Sequence, residues 1–169
     1  MRRLSLSVSL AAMLTALVAG PVVRAAAAQE AVYLVRHAER VDDAKDSLLS
    51  AEGRARAARL AEMLRDAGIT HIFISEYQRT AETVAPLASR LGITAERIPA
   101  DQPDVLLTRV RSAGPTARIL IAGHSDTVPA LLKALGCTPQ VTIAKAEYDN
   151  LFVVVPGDKV RPVLVRLRY

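Results

Sequence analysis

The chain has 169 residues, of which 51% are hydrophobic and 23% charged, and its 22 basic against 17 acidic side chains give a formal net charge of +5 at pH 7. The single cysteine, Cys137, excludes an internal disulfide, and the sequence has no internal repeat, low-complexity tract or interdomain linker. The positive charge does not indicate a nucleic-acid partner, because part of it lies in an N-terminal segment that we expect to be removed.

Residues 1–28 predict a cleavable secretory signal peptide. Two arginines open the chain, residues 4–20 are apolar and small, and residues 25–28 offer an Ala-x-Ala cleavage site. A permanent membrane anchor is the alternative, but polar residues and a Gly-Pro pair interrupt the apolar run, whereas a stable span needs about 20 predominantly apolar residues. We therefore expect residues 29–169 to form one periplasmic or secreted domain with no membrane attachment after cleavage. Its net charge is about +2, since 19 basic residues remain against 17 acidic ones.

The mature segment alternates predicted strands and helices. In chain order we predict a strand at 31–35, a helix from Ser50 to Ala67, a strand at 71–74, a helix from Arg79 to Gly92, a strand at 94–98, a helix at 104–111, a strand at 119–122, a helix at 128–135, and a closing hairpin of strands at 151–155 and 160–167. This alternation predicts an α/β fold, a three-layer sandwich in which helices flank a mainly parallel sheet. Pro86 is expected to kink the second helix or delay its start.

Three of the predicted strands end in residues that suit a bound anion. The first delivers Arg36 and His37, the second leads through Ser75 to Arg79, and the strand at 119–122 delivers His124 within Gly-His-Ser. Ligands bind at the carboxyl ends of the strands in an open parallel sheet, so two arginines and two histidines are expected in one crevice.

These residue types suit a phosphoryl group. A phosphoryl group in transfer spreads negative charge over three non-bridging oxygens, and catalysis consists mainly of positioning and electrostatic stabilisation. The arginine fork binds two oxygens at once and does not lose its proton. A neutral histidine can act as a nucleophile, and a second one can donate a hydrogen bond to the oxyanion. A helix that begins after residues 125–127 would add its positively polarised N-terminus.

The three motifs, in this order, resemble those of the histidine phosphatase superfamily, also called phosphoglycerate mutase-like. The resemblance extends over about residues 30–169. It implies His37 as the phosphorylated nucleophile, and it implies that Arg36, Arg79 and His124 form the phosphate pocket. It further implies a phosphorylated small-molecule substrate and a reaction that needs no metal or other cofactor.

The sequence offers more than one candidate for the general acid that protonates the leaving group. The leaving alcohol needs a proton unless it is a good leaving group. The resemblance implies a Glu or Asp after the third strand, where Asp101 stands, with Asp104 and Glu96 as rivals. A second branch of the family uses an Asp directly after the second histidine. Here Ser125 has that place and Asp126 follows, so Asp126 is interpreted as a helix cap. Some small members lack an obvious acid, and the role can be unfilled.

The histidines and the charged residues near them also allow other interpretations. Histidines near Glu39, Asp42 and Asp43 could form a metal site, but the fixed charge of Arg36 opposes a cation. Glu39 could line the pocket or lie in a solvated loop, and the charged run at 42–46 is interpreted as a polar surface loop. His71 begins a strand without a matching motif and is interpreted as structural.

We therefore expect a phosphatase that hydrolyses phosphate monoesters through a phosphohistidine on His37. A phosphomutase of the same fold is one alternative, but such mutases carry inserts that enclose the substrate, and the segment between Arg79 and His124 is short. A non-catalytic phosphate-binding module is the other. The physiological substrate and the oligomeric state cannot be read from the sequence.

Overall fold

The computed structural model describes residues 30–157 and 161–169. Within them the chain forms six strands and four helices. They are β1 (Ala31–Arg36), α1 (Ala51–Leu64), β2 (His71–Ile74), α2 (Gln78–Leu91), β3 (Glu96–Arg97), α3 (Pro103–Ser112), β4 (Arg118–Gly123), α4 (Thr127–Ala134), β5 (Asn150–Val155) and β6 (Val163–Arg168). The predicted signal peptide at residues 1–28 lies outside the described residues and stays a prediction.

The strands form one mixed sheet in the order β3-β2-β4-β1-β5-β6. The four strands from β3 to β1 are parallel, whereas β5 pairs with β1 and β6 pairs with β5 in antiparallel orientation. The two central strands, β1 and β4, are buried along almost their whole length, as expected of apolar strands whose sheet is covered on both faces. The predicted mainly parallel α/β sheet with a closing hairpin is confirmed.

Helices cover both faces of this sheet, and each face has its own apolar core. On one face Leu60 of α1 and Leu87 of α2 pack with Leu120 of β4. On the other face of the sheet Val110 of α3 and Leu132 of α4 pack against Ile119 and Ile121 of β4. Burying each such side chain stabilises the fold by about 1.5–3 kcal/mol, so the three layers hold together through these clusters. No helix in the described part of the chain is long and apolar enough to cross a bilayer.

The start of α1 is fixed by two local features. Ser50 caps the helix, because its hydroxyl oxygen accepts a hydrogen bond from the Gly53 amide at 3.1 Å. A Cβ atom on Gly53 would lie 2.2 Å from the carbonyl oxygen of Glu39. Only glycine lets the helix approach the loop after β1 this closely, so α1 supports the loop that carries the first motif. The helix ends at Leu64, three residues earlier than predicted.

Helix α2 runs without interruption through Pro86 and ends at Gly92, whose φ is +66°. Of the two expected effects of Pro86, a kink or a delayed start, the delayed start is wrong, because the helix begins at Gln78. The first backbone amide of the helix finds its hydrogen-bond acceptor outside the helix, since Asp46 Oδ1 accepts a hydrogen bond from the Gln78 amide at 2.7 Å. Pro86 lies on the exposed face, where the carbonyl group deprived of its hydrogen bond can reach water.

Candidate active site

Backbone pairing between β1 and β4 places two histidines side by side. Arg36 lies opposite Gly123 in this parallel pair, and His37 and His124 are the next residues along the two strands. The His37 amide donates a hydrogen bond to the carbonyl oxygen of Gly123 at 2.9 Å, and the two ring centroids are 5.3 Å apart. A Cβ on Gly123 would come within 2.8 Å of Thr127 Oγ1. The glycine therefore lets the start of α4 pack against this strand end.

The tautomer of His37 is set by the backbone. Its Nδ1 lies 2.8 Å from the carbonyl oxygen of Ala38. A carbonyl oxygen can only accept a hydrogen bond, so Nδ1 carries the proton and Nε2 keeps its lone pair. Burial lowers the pKa of His37 to about 3, and the charges of Arg36 and Arg79 act in the same direction. The ring is therefore neutral at pH 7, with a free Nε2 that can act as a nucleophile.

His124, at the carboxyl end of β4, contacts the residue that follows β2. Its Nε2 lies 2.9 Å from Ser75 Oγ, because β2 pairs in register with β4. Burial and the charge of Arg79 together lower the pKa of His124 to about 4, against the opposing effect of the Asp126 and Glu76 carboxylates. A phosphate dianion beside the ring would raise this pKa again, because an opposite charge favours the protonated form.

The guanidinium of Arg36 is held by the loop that precedes β5. Its Nη1 donates hydrogen bonds to three backbone carbonyl oxygens, those of Ala144, Lys145 and Glu147, at 3.1, 2.9 and 3.1 Å. Its Cζ lies 4.0 Å from the centroid of the Tyr148 ring. Carbonyl groups and an aromatic face thus fix the orientation of the cation and leave its charge unneutralised.

Arg79 is held in a similar way from the loop at 42–46. Its Nη1 donates to the carbonyl oxygen of Lys45 at 2.7 Å, and its Cζ lies 4.2 Å from the centroid of the Tyr77 ring. The Tyr77 ring meets the His124 ring edge-on, with centroids 5.3 Å apart. Together with Asp46, which caps the same helix, this loop positions Arg79 and is more than a polar surface loop.

Each of the two arginines also has a buried donor without an acceptor. Nε of Arg36 and Nε of Arg79 have no hydrogen-bond partner among the residues that the structure describes, and the two residues are only 5% and 8% exposed. Burial lowers the pKa of both guanidiniums, which nevertheless remain charged. A buried charged donor without an acceptor is unfavourable. Two such donors beside two histidines suit an oxyanion with several acceptor oxygens.

The four side chains predicted for the phosphate pocket are thus brought together, but Asp101 is not tied to them. Asp101 lies exposed in the turn between β3 and α3, and no hydrogen bond among the described residues joins it to the cluster. Of the two other candidates for the general acid, Asp104 is exposed in the first turn of α3 and Glu96 forms a surface ion pair. Asp126 caps α4 as predicted, because its Oδ1 accepts from the Thr127 amide at 2.9 Å. The role of Asp101 as general acid stays a prediction.

Glu76, Tyr77 and Tyr148 were missed by the sequence reasoning. The Glu76 Oε2 accepts a hydrogen bond from the Ala100 amide at 2.8 Å. Burial alone would raise the pKa of Glu76, but this hydrogen bond and others bring it below its ordinary value. The ionised Glu76 anchors the turn that carries Asp101. The available signal for Glu76 and Tyr77 was their place in the motif after β2, whereas Tyr148 lies in a loop without a motif.

Glu39 lies in a partly buried ion pair with Arg56. Its carboxylate oxygens accept hydrogen bonds from Arg56 Nε at 2.8 and 2.9 Å, and Nη1 of Arg56 donates to the carbonyl oxygen of Tyr169 at 2.8 Å. Glu39 therefore joins the loop after β1 to α1 and to the end of the chain, and is neither a free pocket residue nor a solvated acid. In the described part of the chain, no three His, Cys, Asp or Glu side chains form a group that could hold a metal ion.

Comparison with known protein families and sequences gives partial matches. A family model described as the histidine phosphatase superfamily (branch 1) matches residues 32–100, which include Arg36, His37 and Arg79 but end before His124. A curated protein named "Probable phosphoglycerate mutase GpmB", from Enterobacter sp. (strain 638), is 41% identical over 68 residues, which cover 36% of this chain and 32% of that protein. Its namesake from Proteus mirabilis (strain HI4320) is 42% identical over 64 residues, 34% of this chain and 30% of that protein. The chain thus matches about a third of the length of these relatives.

Solved structures share the fold over most of both chains. A mycobacterial glucosyl-3-phosphoglycerate phosphatase aligns with a TM-score of 0.65 at 14% identity, covering 83% of this chain and 98% of that chain. The alpha-ribazole phosphatase from Shigella flexneri aligns with a TM-score of 0.68 at 15% identity, covering 82% and 96%. At these identities the likeness is one of fold.

Proposed function

Because this chain belongs to the histidine phosphatase superfamily, we propose that it hydrolyses phosphate monoesters through a phosphohistidine intermediate on His37. The observation that carries the proposal is the pair of buried, unpartnered Nε donors of Arg36 and Arg79. They lie with a second histidine around His37, whose Nε2 is the ring nitrogen with the lone pair. The substrate is a phosphorylated small molecule, and the reaction uses no metal or other cofactor.

In the first step, His37 Nε2 attacks the phosphorus atom in line with the ester oxygen. The N–P bond forms as the P–O bond to the alcohol breaks, and the alcohol takes a proton from the general acid, for which Asp101 is the proposed residue. Arg36, Arg79 and His124 bind the non-bridging oxygens and stabilise their charge. The carbonyl oxygen of Ala38 holds the Nδ1 proton while the ring becomes positively charged.

In the second step, a water molecule attacks the phosphohistidine. The P–N bond breaks, the water proton passes to the carboxylate that donated one before, and inorganic phosphate leaves. His37 returns to its neutral form with the lone pair on Nε2. The two arginines need not move between the steps, since backbone carbonyl groups and tyrosine rings fix their planes.

A phosphomutase is the second candidate, because the curated relatives carry that name. It would return the phosphoryl group to a substrate hydroxyl instead of to water. Between Arg79 and His124 the chain is taken up by α2, β3, α3 and β4, which belong to the sheet and its flanking layers. This arrangement favours access of water to the phosphohistidine and therefore favours the phosphatase.

The test is turnover of 4-nitrophenyl phosphate in ¹⁸O-labelled water with a metal chelator present. A phosphatase releases inorganic phosphate that contains one ¹⁸O atom from the solvent. A mutase would release little phosphate and would transfer the group to an added acceptor alcohol, and a binding module would release none. Rapid quenching in base, followed by digestion and mass spectrometry, should find the phosphoryl group on His37.

The chain offers a matched control, because its third histidine lies elsewhere. His71 begins β2, at the end of the strand opposite to Ser75, and contacts Thr70 Oγ1 at 2.9 Å. His37→Ala should abolish both the trapped intermediate and phosphate release, whereas His71→Ala should retain both. A label on a serine or a carboxylate, or a loss of activity in chelator that zinc or magnesium restores, would contradict the proposal.

We also propose that the protein is exported by its signal peptide at residues 1–28 and acts in the periplasm or outside the cell. The basis is the sequence pattern alone, with its positively charged start, apolar segment and small-residue cleavage site.

A further inference from the structure

An apolar cavity of about 320 Å³ opens beside the proposed phosphate pocket. It lies between α3 and α4, over the carboxyl ends of β2 and β4. Its walls are mainly hydrocarbon, with Phe73, Ile98, Leu106, Ile121, Ala130 and Leu131 among the lining side chains. A volume of this size lies at the lower end of the range of small-molecule sites, about 300–1,000 Å³.

The cavity reaches the proposed active site through two of its residues. His124 and Ser75 line it, whereas His37, Arg36 and Arg79 do not. The cavity therefore adjoins the proposed phosphate pocket at His124 and not at His37, the proposed nucleophile. In an in-line displacement the nucleophile and the leaving oxygen lie on opposite sides of the phosphorus atom. A cavity away from His37 is suitably placed for the alcohol that leaves.

Three of the polar side-chain atoms that line the cavity already have partners within the protein. Ser75 Oγ lies within hydrogen-bond distance of His124 Nε2 and of Thr80 Oγ1, at 2.9 and 3.1 Å. Thr127 Oγ1 accepts from the His124 amide at 2.8 Å, and Asp126 caps α4. A sugar or polyol placed here would lose hydrogen bonds to water and gain few from the walls, which is unfavourable. An apolar group would gain contact area without this loss.

We propose that this cavity holds the alcohol part of the substrate, so that the preferred substrates are phosphate monoesters of apolar alcohols. The proposal rests on the phosphatase function proposed above and specifies the substrate class of the same site. A water molecule occupies about 30 Å³ of liquid, and a methylene group is of similar size, so the cavity holds about ten non-hydrogen atoms. A linear chain of about eight carbons, or a six-membered hydrocarbon ring with a short arm, fits this volume.

The experiment measures kcat/KM for methyl, butyl and octyl phosphate and for one pair of matched shape, cyclohexylmethyl phosphate and glucose 6-phosphate. Each methylene that enters the cavity should raise kcat/KM about fourfold, until the cavity is full. Cyclohexylmethyl phosphate should be turned over at least about tenfold more efficiently than glucose 6-phosphate, because the pair differs mainly in ring hydroxyl groups.

A filling variant tests whether this particular cavity is responsible. Ala130→Phe should reduce the gain from butyl to octyl phosphate about tenfold or more, because Ala130 lines the cavity and the added ring would occupy part of it. Ala58→Phe makes the same change on an exposed position of α1 and should leave the chain-length dependence as in the wild type. Equal loss in both variants would mean that the cavity is not the cause.

The outcomes separate this proposal from the phosphatase function. If the esters are hydrolysed with no dependence on chain length, or glucose 6-phosphate is preferred, the cavity proposal is overturned while the phosphatase function stands. If no ester is hydrolysed, the phosphatase function fails. The cavity is then tested by calorimetric binding of methyl-, butyl- and octylphosphonate, which cannot be hydrolysed. Affinity that rises with chain length supports the cavity, and constant affinity overturns it.

Discussion

Nδ1 of His37 lies 2.8 Å from the carbonyl oxygen of Ala38, the next residue in the chain. This contact determines which ring nitrogen keeps its lone pair, and it requires no other side chain. Burial then keeps the ring neutral, because it lowers the pKa of His37 to about 3. A neutral histidine with its lone pair on Nε2, at the end of β1, thus follows from the path of the backbone and from the surrounding layers.

The first prediction concerns this ring directly. Nitrogen-15 NMR of the ligand-free protein should show His37 as the neutral Nδ1–H tautomer from pH 8 down to about pH 5, because its pKa is lowered to about 3. Selective assignment follows from the loss of the signal in His37→Asn. Titration of this ring near its ordinary value of about 6.5, or a proton on Nε2, would contradict the structure.

The second prediction is that the folded protein loses stability as the pH falls below 6.5. The pKa values of His37 and His124 are lowered to about 3 and about 4 in the fold. Between these values and about 6.5 the unfolded chain binds protons that the native state does not, so the free energy of unfolding decreases as the pH decreases. Each histidine should account for about 2 kcal/mol between pH 7 and pH 5.

Urea unfolding at the two pH values measures this effect. His124→Asn should lose about 2 kcal/mol less than the wild type between pH 7 and pH 5. His71→Asn, a change at the start of β2, should keep the wild-type dependence. The same dependence in all three proteins would show that the buried histidines do not account for it.

The sequence predicted the parts of the site that depend on local patterns. Apolar, β-branched runs mark the strands that end at His37 and His124, and parallel strands bring their carboxyl ends to one edge of the sheet. Three short motifs therefore suffice to predict that Arg36, His37, Arg79 and His124 come together. Ser50 and Asp126 were likewise predictable as helix caps, because capping depends on a residue and its next neighbours in the chain.

The features of the site that could not be predicted depend on contacts between segments that are distant in the sequence. The carbonyl oxygens that hold Arg36 belong to residues 144–147, and any residue type can supply a backbone carbonyl group. Tyr148 has no motif around it that would indicate its place under Arg36. The start of α2 at Gln78 depends on Asp46, which lies 32 residues away in the sequence. Such features appear only when the layers are assembled.

The third prediction tests the geometry of the two buried arginines. Arg36→Lys and Arg79→Lys should each lower kcat/KM about 10²–10³-fold, because a lysine cannot reproduce the planar fork or the contacts with carbonyl oxygens and tyrosine rings. Arg111→Lys, on an exposed position of α3, is the matched control and should leave kcat/KM unchanged. Near-wild-type activity in Arg36→Lys and Arg79→Lys would mean that only the positive charge is needed.

The fourth prediction concerns export. When the full chain is produced in a bacterial host, N-terminal sequencing of the exported protein should give a start near residues 27–29, because the small residues before Gln29 form a cleavage site. Replacing the small residue at that site, as in Ala28→Arg, should block cleavage and leave the precursor with the membrane. Wild-type protein that retains Met1 in the membrane fraction would contradict the prediction.

The last prediction concerns the proton that the leaving alcohol needs. Asp101→Asn should slow hydrolysis of alkyl phosphates far more than that of aryl phosphates, whose leaving groups need little protonation, and the difference should be about 10²–10⁴-fold. Asp126→Asn should mainly affect stability, and only modestly, because Asn also caps helices well and Asp126 accepts from the Thr127 amide. The position of Asp126 on the wall of the apolar cavity makes it the rival donor. If the selective defect on alkyl phosphates appears in Asp126→Asn and not in Asp101→Asn, the acid has been assigned to the wrong residue. If neither variant changes the ratio, the site works without a general acid.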